Sequence, residues 1–158
     1  MPAPPEPAVL PEPDPAVRER PRHALVPDRP RGPFPTLAER FPASDPGVVD
    51  GMTRVADTRT VDYPLAQLQE KYASHGEIFG LTDPANPARI AEFRAAIDAH
   101  IHDPGTIPYA GTYHGASVIE FYNPTTGIDV LVLPNGEFLS CWRVSEGQAD
   151  RIARLTPL

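Results

Sequence analysis

From residue 61 onward, apolar positions recur first at helical spacing and then at every second residue, the period changing at Asp103-Pro104-Gly105. Residues 63–72 predict a helix. Asp62 or Tyr63 precedes it, Pro64 suits its first turn, and Leu65, Leu68 and Tyr72 share one face. Gly76 is the expected stop, which puts His75 at or just past the C-terminal turn. Asn86 and Pro87 then open a second helix as cap and first-turn residue, with Ile90, Phe93, Ile97 and Ile101 as its buried stripe. Four strands follow at 109–114, 117–122, 128–133 and 137–144, the last two joined through Asn135-Gly136, a strong hairpin signal. Ser145-Glu146-Gly147-Gln148 matches a capping box and predicts a short terminal helix through Leu155. This order predicts an α+β fold: helices packed on one face of a four-stranded antiparallel meander, then a short C-terminal helix.

The first third reads differently. Fourteen of the 22 prolines fall in residues 1–50. So many missing amide donors, without a repeating apolar face, predict an extended linker or arm over residues 1 to about 60. Within it, residues 35–41 suit a short helix. The folded domain is therefore expected over 61–158. No apolar run approaches the roughly eighteen residues that span a bilayer, and no basic patch with an apolar segment marks a usual secretion signal. Cys141 is the sole cysteine, which excludes an internal disulfide and a thiolate metal cluster. Net charge is −7, and from residue 61 onward six Lys/Arg face twelve Asp/Glu. Surfaces that bind polyanions are normally positive, so any nucleic-acid site here is a local patch.

Chemistry concentrates in two places. His75 titrates near neutral pH and can remove or return a proton, and Lys71 lies one helical turn before it. On the fourth strand, alternation puts Phe138, Ser140 and Trp142 on one face, with Leu139, Cys141 and Arg143 on the other. Helices covering only one face would leave the other for ligand. There a hydroxyl beside an indole suits a phosphate contact next to a base-stacking platform. A core tryptophan with a filler serine is the plainer alternative, and both readings stand at this point. His114, at the end of the first strand, is a second candidate acid or phosphate donor. His100 and His102 read as exposed residues of a helix C-terminal turn rather than a chelating pair. Zinc-hydrolase, P-loop and nucleophile-elbow motifs are absent from the sequence.

Several pieces stand in the order of a known family. These are Lys71-Tyr72 with His75 and Phe79-Gly80, then Phe93-Arg94 and Ala96-Ile97, then Gly111-Thr112-Tyr113. Phe121-Tyr122-Asn123-Pro124 with Thr126, and Asn135-Gly136-Glu137-Phe138-Leu139-Ser140 with Trp142, complete the set. In these the segment 71–144 resembles the colicin D-type C-terminal tRNA ribonuclease domain of bacterial polymorphic toxins.

The resemblance implies a small metal-independent, cofactor-free ribonuclease that cuts tRNA in the anticodon loop and is neutralised by a cognate immunity protein. It places the catalytic histidine on His75, with Lys71, Ser140 and Trp142 supporting it. Tyr72, His114, Asn123 and Arg143 are then the expected substrate contacts. The proline-rich arm would join this domain to a delivery or carrier region, and the toxin would be secreted or delivered to act in the target-cell cytoplasm. This sequence departs from the family where Ser74 stands in place of its second lysine, and in being acidic rather than basic. A catalytically inactive protein-binding module on the same scaffold is the alternative that these departures keep open, and a different small-substrate enzyme is a third.

Overall fold

The computed structural model describes residues 35–158; the expected arm over 1–34 lies outside the described residues. Before residue 61 the chain is already folded, contrary to the expected boundary. The short helix α1 (Leu37–Arg40) carries a capping box between Thr36 and Glu39. The next, α2 (Pro46–Thr58), is capped by Asp45 and buries Val48, Met52, Val55 and Ala56. Those four residues recur at helical spacing, a period masked when proline is counted over the whole first third. The real edge of the described unit is Thr36.

Arg59, also placed in the arm by the sequence reading, does specific work. It takes a left-handed conformation at the end of α2. Its guanidinium donates to the carbonyls of Ile101 at 2.6 Å, Asp103 at 3.2 Å and Thr106 at 3.0 Å. These are orphan acceptors at and beyond the end of α4 (Pro87–His102), satisfied by a cation where the helix dipole favours one. Gly51, on α2, approaches the loop before the fourth strand so closely that an added Cβ would lie 2.6 Å from the Pro134 carbonyl oxygen. Gly51→Ala is therefore expected to destabilise the domain by about 1–3 kcal/mol. A denaturant midpoint unchanged from the parent would show that α2 does not dock there.

Pro64 stands at the N-cap of α3 (Leu65–His75), which buries Leu68 and Tyr72. Gly76 does not end that helix in a left-handed turn; its φ is −55°, and the chain runs on as a 3₁₀ turn over Gly76–Phe79. Gly80, at φ 76°, is the actual stop. Asn86 and Pro87 open α4 as the pattern predicts, with Ile90, Phe93, Ile97 and Ile101 buried. His100 corrects the expectation of exposure: it is buried, its Nε2 2.8 Å from the Phe121 carbonyl oxygen.

The sheet comprises β1 (Ile107–Tyr113), β2 (Ala116–Asn123), β3 (Ile128–Val132) and β4 (Phe138–Arg143) as an antiparallel meander. After α5 (Glu146–Ala153), a two-residue β5 (Thr156–Pro157) pairs with β1, giving the order β4-β3-β2-β1-β5. So short a strand containing proline leaves no periodic signal.

Two features of the sheet differ from expectation. Helices do not confine themselves to one face: α5 sends Arg151 onto the opposite one, where it pairs with Glu120 of β2. Every residue of β2 and β3 is consequently buried, and no broad open face remains. A bulge between Leu131 and Val132 also breaks alternation on β4, because Ser140 pairs with Leu131 while Phe138 pairs with Val132. Phe138 therefore joins the helix side, its ring packing against Tyr63 and Phe93, and does not share a face with Ser140 and Trp142.

Candidate active site

The helix carrying His75 lies against the edge strand carrying Ser140 and Trp142. Asp62 bridges to the start of β4, donating its amide to Gly136 and accepting from Phe138, both at 2.8 Å. One turn into α3, the Gln67 amide donates to the Leu139 carbonyl that the bulge exposes. Lys71, the only lysine in the sequence, follows one turn later. Its charge acts both on His75 and on the Cys141 thiol of β4. The chain thus runs beside β4 from Asp62 through α3 to Lys71, with His75 as the last residue of the helix.

His75 is half-buried at the helix end. Burial lowers its pKa first and Lys71 lowers it further, with Glu77 opposing, so its ring is neutral at physiological pH. That is the form that accepts a proton. Lys71 is largely covered and rests 3.4 Å from the exposed Glu70 carboxylate, a weak pair that leaves the ammonium available.

Ser140, itself buried, and Trp142 share the face opposite Phe138 and α4, where Trp142 is the cross-strand partner of Asp129. Trp142 is half-buried, its ring centroid 6.0 Å from that of Tyr113. Tyr113 in turn lies 4.2 Å from His114. The curl of the sheet thus lines up three rings from both ends of the meander. His114 and Gly115 both take positive φ, 48° and 79°, as a two-residue hairpin turn demands, so the turn falls one residue earlier than predicted. Tyr113 was not among the expected site residues. The only hint of it in the sequence is its place in Gly111-Thr112-Tyr113.

Three expected substrate contacts are otherwise engaged. Tyr72 is buried core, edge-to-face with Phe93, its hydroxyl donating to the Asp83 carbonyl at 2.6 Å. Asn123 is buried and braces its own turn. It accepts from the Thr125 amide at 2.9 Å and donates to Thr106 Oγ1 at 3.2 Å. Arg143 is exposed but alternates away from Trp142 and donates to the Thr126 carbonyl at 2.7 Å. Among the described residues no hydrogen bond or ring contact joins His75 directly to Ser140 or Trp142. Their relation is set by the docking of α3 along β4. A groove of about 1140 Å³ bordered by Tyr63, Leu68, Ile90, Arg94 and Asp98 contains none of these candidates, and chemistry rather than volume locates the site. No group of three or more His, Cys, Asp or Glu able to hold a metal occurs among the described residues.

The class so defined is a small α+β domain that lays a helix-borne imidazole and lysine along the edge of an antiparallel sheet bearing serine and tryptophan. The colicin D family model matches residues 67–152, more than half of the chain, and the protein belongs to that family. Colicin-D of Escherichia coli is 39% identical to it over 83 residues, which make up 50% of this chain and 11% of that protein. The chain thus spans about a tenth of that relative's length. A solved structure of a ribonuclease from Escherichia coli complexed with its inhibitor protein is 33% identical. It covers 55% of this chain and 92% of its own, with a TM-score of 0.49.

Proposed function

We propose that this domain is a toxin endoribonuclease that cleaves tRNA in the anticodon loop without a metal ion and so arrests translation in a target cell. The observation that carries the reading is the docking of α3 on β4 inside the segment matched to the colicin D family. It makes one unit of the helix with Lys71 and His75 and the strand with Ser140 and Trp142. In this reading neutral His75 removes the proton of a ribose 2′-hydroxyl. The 2′-oxygen attacks the adjacent phosphorus, the P–O5′ bond breaks, the leaving 5′-oxygen takes a proton from water, and a 2′,3′-cyclic phosphate remains. Lys71 and the Ser140 hydroxyl supply donors where negative charge develops on the phosphate. Trp142, extended by Tyr113 and His114, offers a stacking surface for an unpaired base.

A cognate immunity protein is the expected partner, and the toxin acts after delivery to the target-cell cytoplasm by a region upstream of the domain. Residues 1–34 are proposed as the link to that region. The acidic charge favours a second reading, a protein-binding module that has lost cleavage along with the lysine replaced by Ser74. The purified chain is expected to cut total tRNA in excess EDTA, seen as discrete fragments on a denaturing gel. Intact tRNA, together with salt-insensitive binding to a protein partner, would decide for the module instead.

A further inference from the structure

Four fully buried side-chain polar atoms have no hydrogen-bond partner among the described residues: Glu120 Oε2, both Asp129 carboxyl oxygens and Trp142 Nε1. The ladder places all three side chains on one face of the sheet. Asp129 is the direct cross-strand partner of Trp142, and Ser140 lies diagonally across from it, opposite Leu131. Tyr122 is its other direct neighbour, and Glu120, opposite Leu131, is the diagonal one on β2. Direct cross-strand partners have Cβ atoms about 4.5–5.5 Å apart, so the carboxyl and the indole adjoin. Orphaned buried polar groups are rare, and their gathering around the Ser140–Trp142 pair calls for a cause.

The face is built around its acids. Glu120 is 1% exposed and Asp129 0%. A Cβ at Gly111 would lie 2.7 Å from the Glu120 carboxyl carbon, so the strand opposite is cleared for that side chain. Arg151 of α5 donates to Glu120 Oε1 at 2.9 Å. One guanidinium, itself 46% exposed, therefore faces two buried carboxyl groups and balances one of them.

We propose that Asp129, sealed in beside Glu120 and directly across the ladder from Trp142, is a positioning residue for Trp142 and through it for the Ser140 face. Burial pushes the Asp129 carboxyl up to about 8, Glu120 acts in the same direction and Arg151 opposes both. Once ionised, Asp129 needs a donor; the fully buried one on that face without a partner is Trp142 Nε1–H, with the Ser140 and Tyr122 hydroxyls beside it. Ionisation then turns the indole toward the carboxylate and disturbs the stacking surface. The consequence for cleavage rests on the ribonuclease reading; the movement of the indole does not.

Trp142 is the only tryptophan in the sequence, so intrinsic fluorescence reports on it alone. Emission from the full chain, followed from about pH 6 to about pH 9.5, is expected to show one transition centred near 8. Asp129→Asn should abolish it. Arg151→Met, used at a temperature where its far-UV spectrum matches the parent's because it strips buried Glu120 of its ion-pair partner, should raise its midpoint. A flat wild-type curve, a transition that survives Asp129→Asn, or an unmoved midpoint in Arg151→Met would overturn the proposal. If tRNA is cut, the alkaline limb of kcat should coincide with the fluorescence transition and vanish in Asp129→Asn. A limb indifferent to that substitution would refute the positioning role. Should no RNA be cut under any condition, the ribonuclease reading fails and fluorescence alone decides this one.

Discussion

His75→Ala is expected to lower tRNA cleavage by about 10²–10⁴-fold, the usual contribution of a placed acid–base group, while leaving the thermal midpoint near that of the parent. The side chain is half-buried at the last position of α3 and holds no part of the core cluster, so its removal leaves Leu68 and Tyr72 packed. Burial and Lys71 together keep the ring neutral. The acid limb of the pH–rate profile should therefore fall below the ordinary histidine value, since activity is lost only where the ring gains its proton. Lys71→Met removes one of the two causes and should move that limb upward. Parental cleavage by a folded His75→Ala protein would remove the imidazole from the mechanism.

Phe93→Ala should destabilise the domain by about 3–5 kcal/mol, measured as a fall in denaturant midpoint at constant slope. Phe93 is fully buried, and its ring meets those of Tyr72, Phe79 and Phe138. It thereby clamps α3, the 3₁₀ turn, α4 and β4 around one side chain. Truncation leaves a cavity and removes edge-to-face contacts worth about 0.5–1.5 kcal/mol each. Because the same ring ties α3 to β4, the loss also loosens the relation of His75 to Ser140 and Trp142. Cleavage by any surviving native protein should drop beyond what the folded fraction accounts for. A loss below about 1 kcal/mol would mean that the three-ring contact is not what holds these elements together.

Much of this was legible from local chemistry. The α4 stripe, its Asn86-Pro87 start, the Ser145–Gln148 capping box and the meander each depend on residues within a few positions of one another. The failures share a cause of another kind. Asn123 and His100 look like surface chemistry in one dimension, and Tyr72 like a substrate contact on an apolar helix face, yet each spends its polar atoms on a distant or turn backbone group. Arg59 reads as a linker charge until α4 ends beside it. Phe138 changes face because Leu139 bulges, and nothing in Glu137-Phe138-Leu139-Ser140 announces an extra residue in the ladder.

Sequence by itself determined the order and type of α3, α4, the four-stranded meander and α5, the candidate imidazole and lysine a turn apart, and the serine–indole spacing on the last strand. Those are set by periodicity and capping, which act over one or two turns. Tertiary structure alone decided that residues 36–60 belong to the domain, that α5 closes the second face, and that Asp129 and Glu120 are sealed in beside Trp142. Burial and cross-strand pairing join residues far apart in the chain, and the energetic cost of an unpaired charge appears only once water has been excluded from around it.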